Sequence, residues 1–243
     1  MRLISKLDCK PPYVVKPVHF EGLRKIGFPD EIAKKHYIDG IDEIFYIDIV
    51  ASLYQREILY EEISKVSKNI LVPFAVGGGI RSIDDMSQLF HSGADKVVIN
   101  TFAVQNDPNI IDSAAKIFGS QAVVVNIEAK RNKNGWSCYS DCGRIDSKRD
   151  VISWASEVQE RGAGEIFLQS VDQDGTKSGF DVDLGQKVKE ILKIPLVIGS
   201  GAGSLKDIMT IKDNVQPSGI AVSSILHYEI ESISRIKDSL GEF

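Results

Sequence analysis

Residues 40–48 read GIDEIFYID and residues 162–170 read GAGEIFLQS, while residues 73–79 read PFAVGGG and residues 195–201 read PLVIGSG. The first pair sets an acidic residue at the head of a short apolar run. The second pair ends an apolar run in a glycine-rich turn. Glu43 and Glu165 are 122 positions apart, and so are Gly79 and Gly201. One offset shared by two landmarks, and close to half of the 243 residues, marks a duplicated half-chain. Repeats of a single supersecondary unit usually have periods of about 20–50 residues, so the repeated unit here is larger, four βα units.

Outward from these landmarks, short β-branched runs alternate with amphipathic segments, the pattern of βα units around a parallel sheet. Eight strands are expected, over 3–7, 44–49, 72–76, 96–100, 122–127, 165–170, 196–199 and 220–223. Ser82-Ile83-Asp84-Asp85 has the form of a capping box with Asp in the Glu place, and Gly93 stops that helix. Asp107-Pro108 puts Pro in the first turn of another, which Gly119 ends. A third is expected over 148–161, with Val151, Ile152, Ala155 and Val158 apolar and Gly162 as its stop. No Pro/Gly/Ser-rich linker divides the chain, whose length is near the roughly 250 residues of an eight-fold barrel. The expectation is one domain over 1–243, a (β/α)8 TIM barrel of two half-barrels.

Composition narrows the function. A net charge of −5 argues against a general nucleic-acid binder, which needs a basic face. No run reaches the roughly 18 apolar residues that span a membrane, and residues 1–10 alternate like a strand and lack the core of a signal peptide. Cys9, Cys138 and Cys142 are odd in number, and the C-x3-C pair has no second Cys/His pair to complete a zinc site. A cytoplasmic chain with incidental thiols is the reading. His19, His36, His91 and His227 are scattered in the sequence, so neither a metal nor a cofactor is expected. The string GSGAG at 199–203 lacks the full G-x-G-x-x-G spacing and an acidic ribose partner, which sets a dinucleotide aside.

In a (β/α)8 barrel the strand C-termini and the loops after them form the active face. There, Gly77-Gly78-Gly79 precedes a capped helix, so backbone N–H groups can approach an anion. Gly199 to Gly203 repeats the arrangement 122 residues later. One such turn could be mere tight packing; two at matching places point to two phosphate sites. The next strand of each half ends in small polar groups, Asn100-Thr101 and Ser223-Ser224. Asp8 and Glu128 end strands at matching points of the halves, and each has a lysine two positions later, Lys10 and Lys130. A salt bridge to that lysine would explain one carboxylate, but a matched pair across one mouth suits acid–base catalysis. Asp48 also lies at a strand end. Asp174, within Asp172-Gln173-Asp174-Gly175-Thr176, could hold substrate hydroxyls or cap a turn. At the opposite end Arg2, Glu43, Lys96 and Glu165 begin four strands. Their charges could plug the barrel floor or gate a passage; the physics of the pattern favours the plug.

The strings VGGGIRS, GADKVVINT, FGSQAVVV, RGAGEI and DGTKSG together resemble the cyclase subunit of imidazole glycerol phosphate synthase, from about Arg2 to His227. The resemblance implies a lyase of histidine biosynthesis. Such an enzyme uses ammonia from a glutaminase partner on a ribonucleotide intermediate with a phosphate at each end. It implies Asp8 and Glu128 as the acid/base pair and Lys16 as the lysine of a mobile first loop. It also implies Gly79, Asn100 and Thr101 at one phosphate, and Gly201 and Ser224 at the other. Arg2, Glu43, Lys96 and Glu165 then become an ammonia entrance, with the glutaminase docked on that N-terminal face.

Departures from the family pattern cluster on the catalytic face. Glu128 stands where the family has Asp, a change that moves the carboxylate by about a bond length. The first loop, KPPYVVKPVHF, has Pro11, Pro12 and Pro17 in place of flexible residues. Gln169 replaces a small hydroxyl residue, Ser200 replaces Gly, and residues 140–149 lose a Lys/Arg-x-Thr-Gly pattern. An altered mouth above an intact charged ring also fits a second reading. In it, a cyclase-like protein conducts ammonia to a sugar amidotransferase of surface-polysaccharide or flagellar-glycan synthesis. An unrelated barrel isomerase is a third option, which the charged ring disfavours.

Overall fold

Eight of the twelve strands close on one another in parallel, and the chain order of their pairing follows the duplication. The computed structural model describes residues 1–241; residues 242 and 243, which the one-domain reading included, lie outside the described residues. The strands are β1 (Arg2–Lys10), β2 (Tyr13–Val18), β3 (Glu21–Gly27), β4 (Glu43–Asp48), β5 (Phe74–Gly77), β6 (Lys96–Ile99), β7 (Val123–Asn132), β8 (Gly135–Ser140), β9 (Ile145–Asp150), β10 (Glu165–Ser170), β11 (Leu196–Gly199) and β12 (Gly219–Val222). The helices are α1 (Pro29–Ile38), α2 (Tyr60–Ser67), α3 (Ile83–His91), α4 (Thr101–Gln105), α5 (Asn109–Phe118), α6 (Val151–Glu160), α7 (Val182–Ile191), α8 (Leu205–Val215), α9 (Ser224–His227) and α10 (Ile233–Leu240). The barrel runs β1, β4, β5, β6, β7, β10, β11, β12 and back to β1, all neighbours parallel.

Strand alternation sorts the side chains. On β1, Leu3 and Leu7 face outward into the layer under the helices, where they join Ile44, Tyr46, Val97, Ile166 and Ile220. Ile4 faces inward with Phe45, Ala75, Val98, Val124, Phe167, Val197 and Ala221, one residue from each barrel strand. Phe45 and Phe167 meet edge to face at 5.1 Å in that inner layer. The interior is thus a packed core, as in other barrels of this type. Truncating either phenylalanine to Ala would cost about 3–5 kcal/mol.

Helix starts bear out the duplication. Ser82 accepts from Asp85 N at 3.1 Å and Asp85 Oδ2 accepts from Ser82 N at 3.0 Å, the full capping box. Ser204 and Asp207, 122 positions later, cap α8 with a related arrangement: Ser204 Oγ accepts from Asp207 N at 3.4 Å, and Asp207 Oδ2 accepts from Gly203 N and Ser204 Oγ. Two expectations need correction. The helix expected over 148–161 begins at Val151, because Asp150 caps it by accepting from Ser153 N at 2.9 Å, and residues 145–150 are β9. The first loop is no irregular segment: β2 and β3 form an antiparallel hairpin on the end of β1. β8 and β9 repeat that device on the end of β7. Among the described residues no helix is long and apolar enough to cross a membrane.

Candidate active site at the barrel mouth

The two hairpins lean over the C-terminal end of the barrel and touch. Val15 and Phe20 from the first pack with Cys142 from the second, over Ile49, Val50 and Val171. Each hairpin also grips the carboxylate of its own half. Asp8, fully buried at the end of β1, has Lys6 Nζ 2.7 Å from Oδ1 and Lys16 Nζ, on β2, 3.3 Å from Oδ2. Lys16 is buried and also reaches Asp174 at 3.1 Å, while Asp174 accepts from Phe20 N at 3.2 Å. Burial alone would favour the neutral acid, but the ammonium groups of Lys6 and Lys16 outweigh it and hold Asp8 below the usual carboxylate range. Lys16 in turn is raised, Asp8 and Asp174 overcoming its own burial.

Glu128 has no such cation within ion-pair distance among the described residues. Its Oε2 accepts from Gly143 N, at the tip of the second hairpin, at 2.8 Å, and its Oε1 faces Asn126 Nδ2 at 3.5 Å. Gln169 orients Asn126 by donating to its Oδ1 at 2.9 Å. Gln169 therefore holds the partner of the second carboxylate. Burial pushes Glu128 up to about 7, with the Gly143 N–H and the charge of Lys6 only partly opposing it. Asp8 is held toward its ionised form, while Glu128, titrating at about 7, keeps its proton through a substantial part of the neutral range. That division is what acid–base catalysis by a carboxyl pair requires.

The glycine turns sit where expected and serve different cavities. Gly78 has φ +104°, and a Cβ there would lie 2.2 Å from the Asp48 carbonyl oxygen. Gly201 has φ +105°, and a Cβ would lie 2.0 Å from that of Gly179. Only glycine fits either place. Asp48 Oδ1 accepts from Val50 N and Ala51 N, and its Oδ2 pairs with Arg56, so it shapes the first turn's surroundings. Burial nevertheless raises the Asp48 pKa. Asp48, Gly79, Asn100, Thr101 and Glu128 line one cavity of about 330 Å³. Lys16, Asp174, Gly175, Gly201 and Ser224 line a second, closed down to about 20 Å³ by the first hairpin. There Gly175 packs so closely under Pro17 that a Cβ would lie 2.5 Å from its carbonyl oxygen. Asp8 lines neither cavity and meets the second set through Lys6 and Lys16.

At the opposite end of the barrel Arg2 bridges Glu43 and Glu165, and Lys96 bridges the same two at 2.7 and 3.1 Å. The four expected charges thus form a closed ring, with Glu43 fully buried. Burial raises the Glu43 pKa against the pull of Lys96 and Arg2.

The salt bridges to Lys10 and Lys130, the alternative to catalysis for Asp8 and Glu128, are not among the ion pairs of the described residues; Asp8 pairs with Lys6 and Lys16 instead. Lys10 is exposed, and Lys130 lies over the Tyr139 ring at 5.3 Å. The partner that sequence reasoning missed, Lys6, shares the inward parity of Ile4 and Asp8, which was the available signal. The histidines are not all scattered in space: the His36 and His227 rings stack at 5.8 Å behind β1, where His36 Nδ1 meets Ser5 Oγ at 2.7 Å. His19 lies on the first hairpin, its Nδ1 3.2 Å from the Val171 carbonyl oxygen.

Comparison with known proteins shows the family. The profile of the family described as "Histidine biosynthesis protein" matches residues 2–231. The imidazole glycerol phosphate synthase subunit HisF of Legionella pneumophila is 48% identical over 208 residues, covering 85% of this chain and 98% of that protein. The subunit HisF of Campylobacter concisus is 45% identical over 241 residues, covering 98% of this chain and 94% of its own length. That of Natranaerobius thermophilus is 40% identical over 241 residues, covering 99% and 96%. A closed eight-stranded barrel, two glycine turns at matching strand ends and relatives at this identity over nearly the whole chain lead to one statement: the chain belongs to the histidine biosynthesis protein family, among the imidazole glycerol phosphate synthase HisF subunits.

Proposed function

We propose that the chain is the ammonia-using cyclase of an imidazole glycerol phosphate synthase. Its reaction converts the phosphoribulosyl-formimino aminoimidazole carboxamide ribonucleotide into imidazole glycerol phosphate and aminoimidazole carboxamide ribonucleotide, a lyase reaction. The observation that carries this reading is the pair of buried carboxylates at matching strand ends, one favoured in its ionised form by Lys6 and Lys16 and one raised by burial to about 7. In this reading Asp8 accepts the proton released as ammonia adds, and Glu128 donates one to the departing group. Gly79, Asn100 and Thr101 hold one terminal phosphate in the larger cavity. Gly201 and Ser224 hold the other, with Lys16, Asp174 and Gly175 closing over it. Asp48, fixed by Arg56, borders the first phosphate.

The ring of Arg2, Glu43, Lys96 and Glu165 is the ammonia entrance in this reading, and a glutaminase subunit docks on that face. The alternative, an ammonia-conducting partner of a sugar amidotransferase, draws no support from the HisF relatives. Incubation of the purified chain with the ribonucleotide and saturating ammonium salt tests the assignment. Wild-type turnover that Asp8→Asn abolishes and Glu128→Gln reduces at least about a hundredfold is the expected result. Full activity in Asp8→Asn would refute the role of Asp8, and full activity in Glu128→Gln that of Glu128.

A further inference from the structure

Lys6 is a buried amine inside the barrel, only 3% exposed, one inward step below Asp8 and one above Ile4 of the apolar layer. A side chain that merely filled this space would be apolar, since an unpaired buried ammonium is strongly disfavoured. Its Nζ lies 2.7 Å from Asp8 Oδ1 and 5.3 Å from the Phe20 ring centroid, under the first hairpin. It borders the smaller cavity together with Lys16, Ser200 and Ser223. The Ser200 and Ser223 hydroxyls are buried there without a hydrogen-bond partner. Lys6 also acts on Glu128, favouring its charged form, so both carboxylates feel one ammonium.

We propose that Lys6 is a positioning residue of the reaction centre: its ammonium clamps Asp8 Oδ1 and divides the acid–base work between Asp8, the proton acceptor, and Glu128, the proton donor. The division of labour rests on the cyclase reading above; the clamp does not. Other groups that face the pair do not supply this. Lys16 on β2 holds the other oxygen of Asp8 and is shared with Asp174. Asp48 on β4 is paired with Arg56, and Asp141 on the second hairpin only adds negative charge beside Glu128. Burial keeps the thiols of Cys9 and Cys142 protonated, and keeps His227, from α9, neutral.

The test is a carboxyl-carbon NMR titration of protein labelled with 13C at aspartate and glutamate, read beside the pH profile of kcat/KM at constant free ammonia. Wild type, Lys6→Met and Lys6→Arg are compared, with Lys6→Gln as the second neutral variant should Lys6→Met not fold. The expected result is that Asp8 titrates at higher pH in the neutral variant and returns in Lys6→Arg. The expected kcat/KM profile of the neutral variant gains an acid limb, also reversed by Lys6→Arg. A shifted titration without turnover in any protein supports the clamp while removing the cyclase reading. An Asp8 titration unchanged by loss of Lys6 overturns the clamp, and a shifted titration with an unshifted profile overturns the division of labour.

Discussion

Replacing Glu128 by Gln should stabilise the fold at alkaline pH and do little at acid pH. Gln keeps the shape, and its Oε1 can still accept from Gly143 N. Glu128 is 5% exposed and its pKa rises from 4.5 to about 7 on folding. The folded state therefore binds the proton more tightly than the unfolded chain. Below pH 4.5 both states are protonated and burial of the neutral acid carries no electrostatic penalty. As pH rises from 4.5 the unfolded chain ionises first, and stability falls until the folded group ionises near 7. The full loss is the shift times 1.36 kcal/mol per unit, about 3 kcal/mol, of which about 2.5 kcal/mol accrues between pH 5 and pH 8. The assay is urea unfolding of wild type and Glu128→Gln at both pH values. The expected gain of the variant grows by about 2.5 kcal/mol from pH 5 to pH 8, or roughly 5–10 °C in Tm for a chain of this size. A gain equal at the two pH values would refute the assignment of Glu128 as the carboxyl that is protonated near neutrality.

Burial lowers His36 to about 4 and His227 to about 3 from the ordinary 6.5. Here the unfolded chain takes up the protons first, so stability present above pH 6.5 is lost as pH falls, by about 1.4 kcal/mol per unit for each ring. His227→Phe should roughly halve that slope between pH 6 and 4.5 in a pH series of melts; an unchanged slope would place the acid sensitivity elsewhere. Lys96→Met leaves Glu43 and Glu165 buried with Arg2 alone and should cost about 3 kcal/mol in chemical unfolding. Pairing that change with Glu43→Gln should recover part of the loss. Gly201→Ala puts a Cβ 2.0 Å from the Gly179 carbonyl oxygen at φ +105°. It should destabilise by well over 1 kcal/mol and raise the substrate KM, whereas Gly22→Ala, with φ +64° and open space, should cost about 1 kcal/mol and leave KM unchanged.

The barrel was legible because its halves keep one spacing: the 122-residue offset recurs in Glu43 and Glu165, in the glycine turns and in the Ser82 and Ser204 caps. The charged ring was legible for a simpler reason. In strands of period two, a charge at the same inward step of four strands must meet its neighbours. The hairpins were hidden. Residues 10–18 carry three prolines and read as loop, and β9, IDSKRD, is charged enough to resemble the start of a helix. The Asn134-Gly135 pair was a hairpin signal, displaced one residue from the two-residue turn that joins β7 to β8. Lys6 escaped notice because an inward lysine contradicts the ordinary rule for barrel interiors, and only the structure supplies the Asp8 that makes it tolerable. The histidine pair could not be read from spacing at all. His36 and His227 are 191 positions apart and meet because closure of the barrel sets β12, and the α9 that follows it, beside β1.

Steady-state conversion of the ribonucleotide intermediate by the purified chain tests the central claim most directly, measured across pH at constant free ammonia. The expected profile is flat on the acid side, where Asp8 stays ionised, and falls as pH rises past about 7, where Glu128 loses its proton. No conversion at any pH would contradict the account, and so would a rate that rises through pH 7 and stays high.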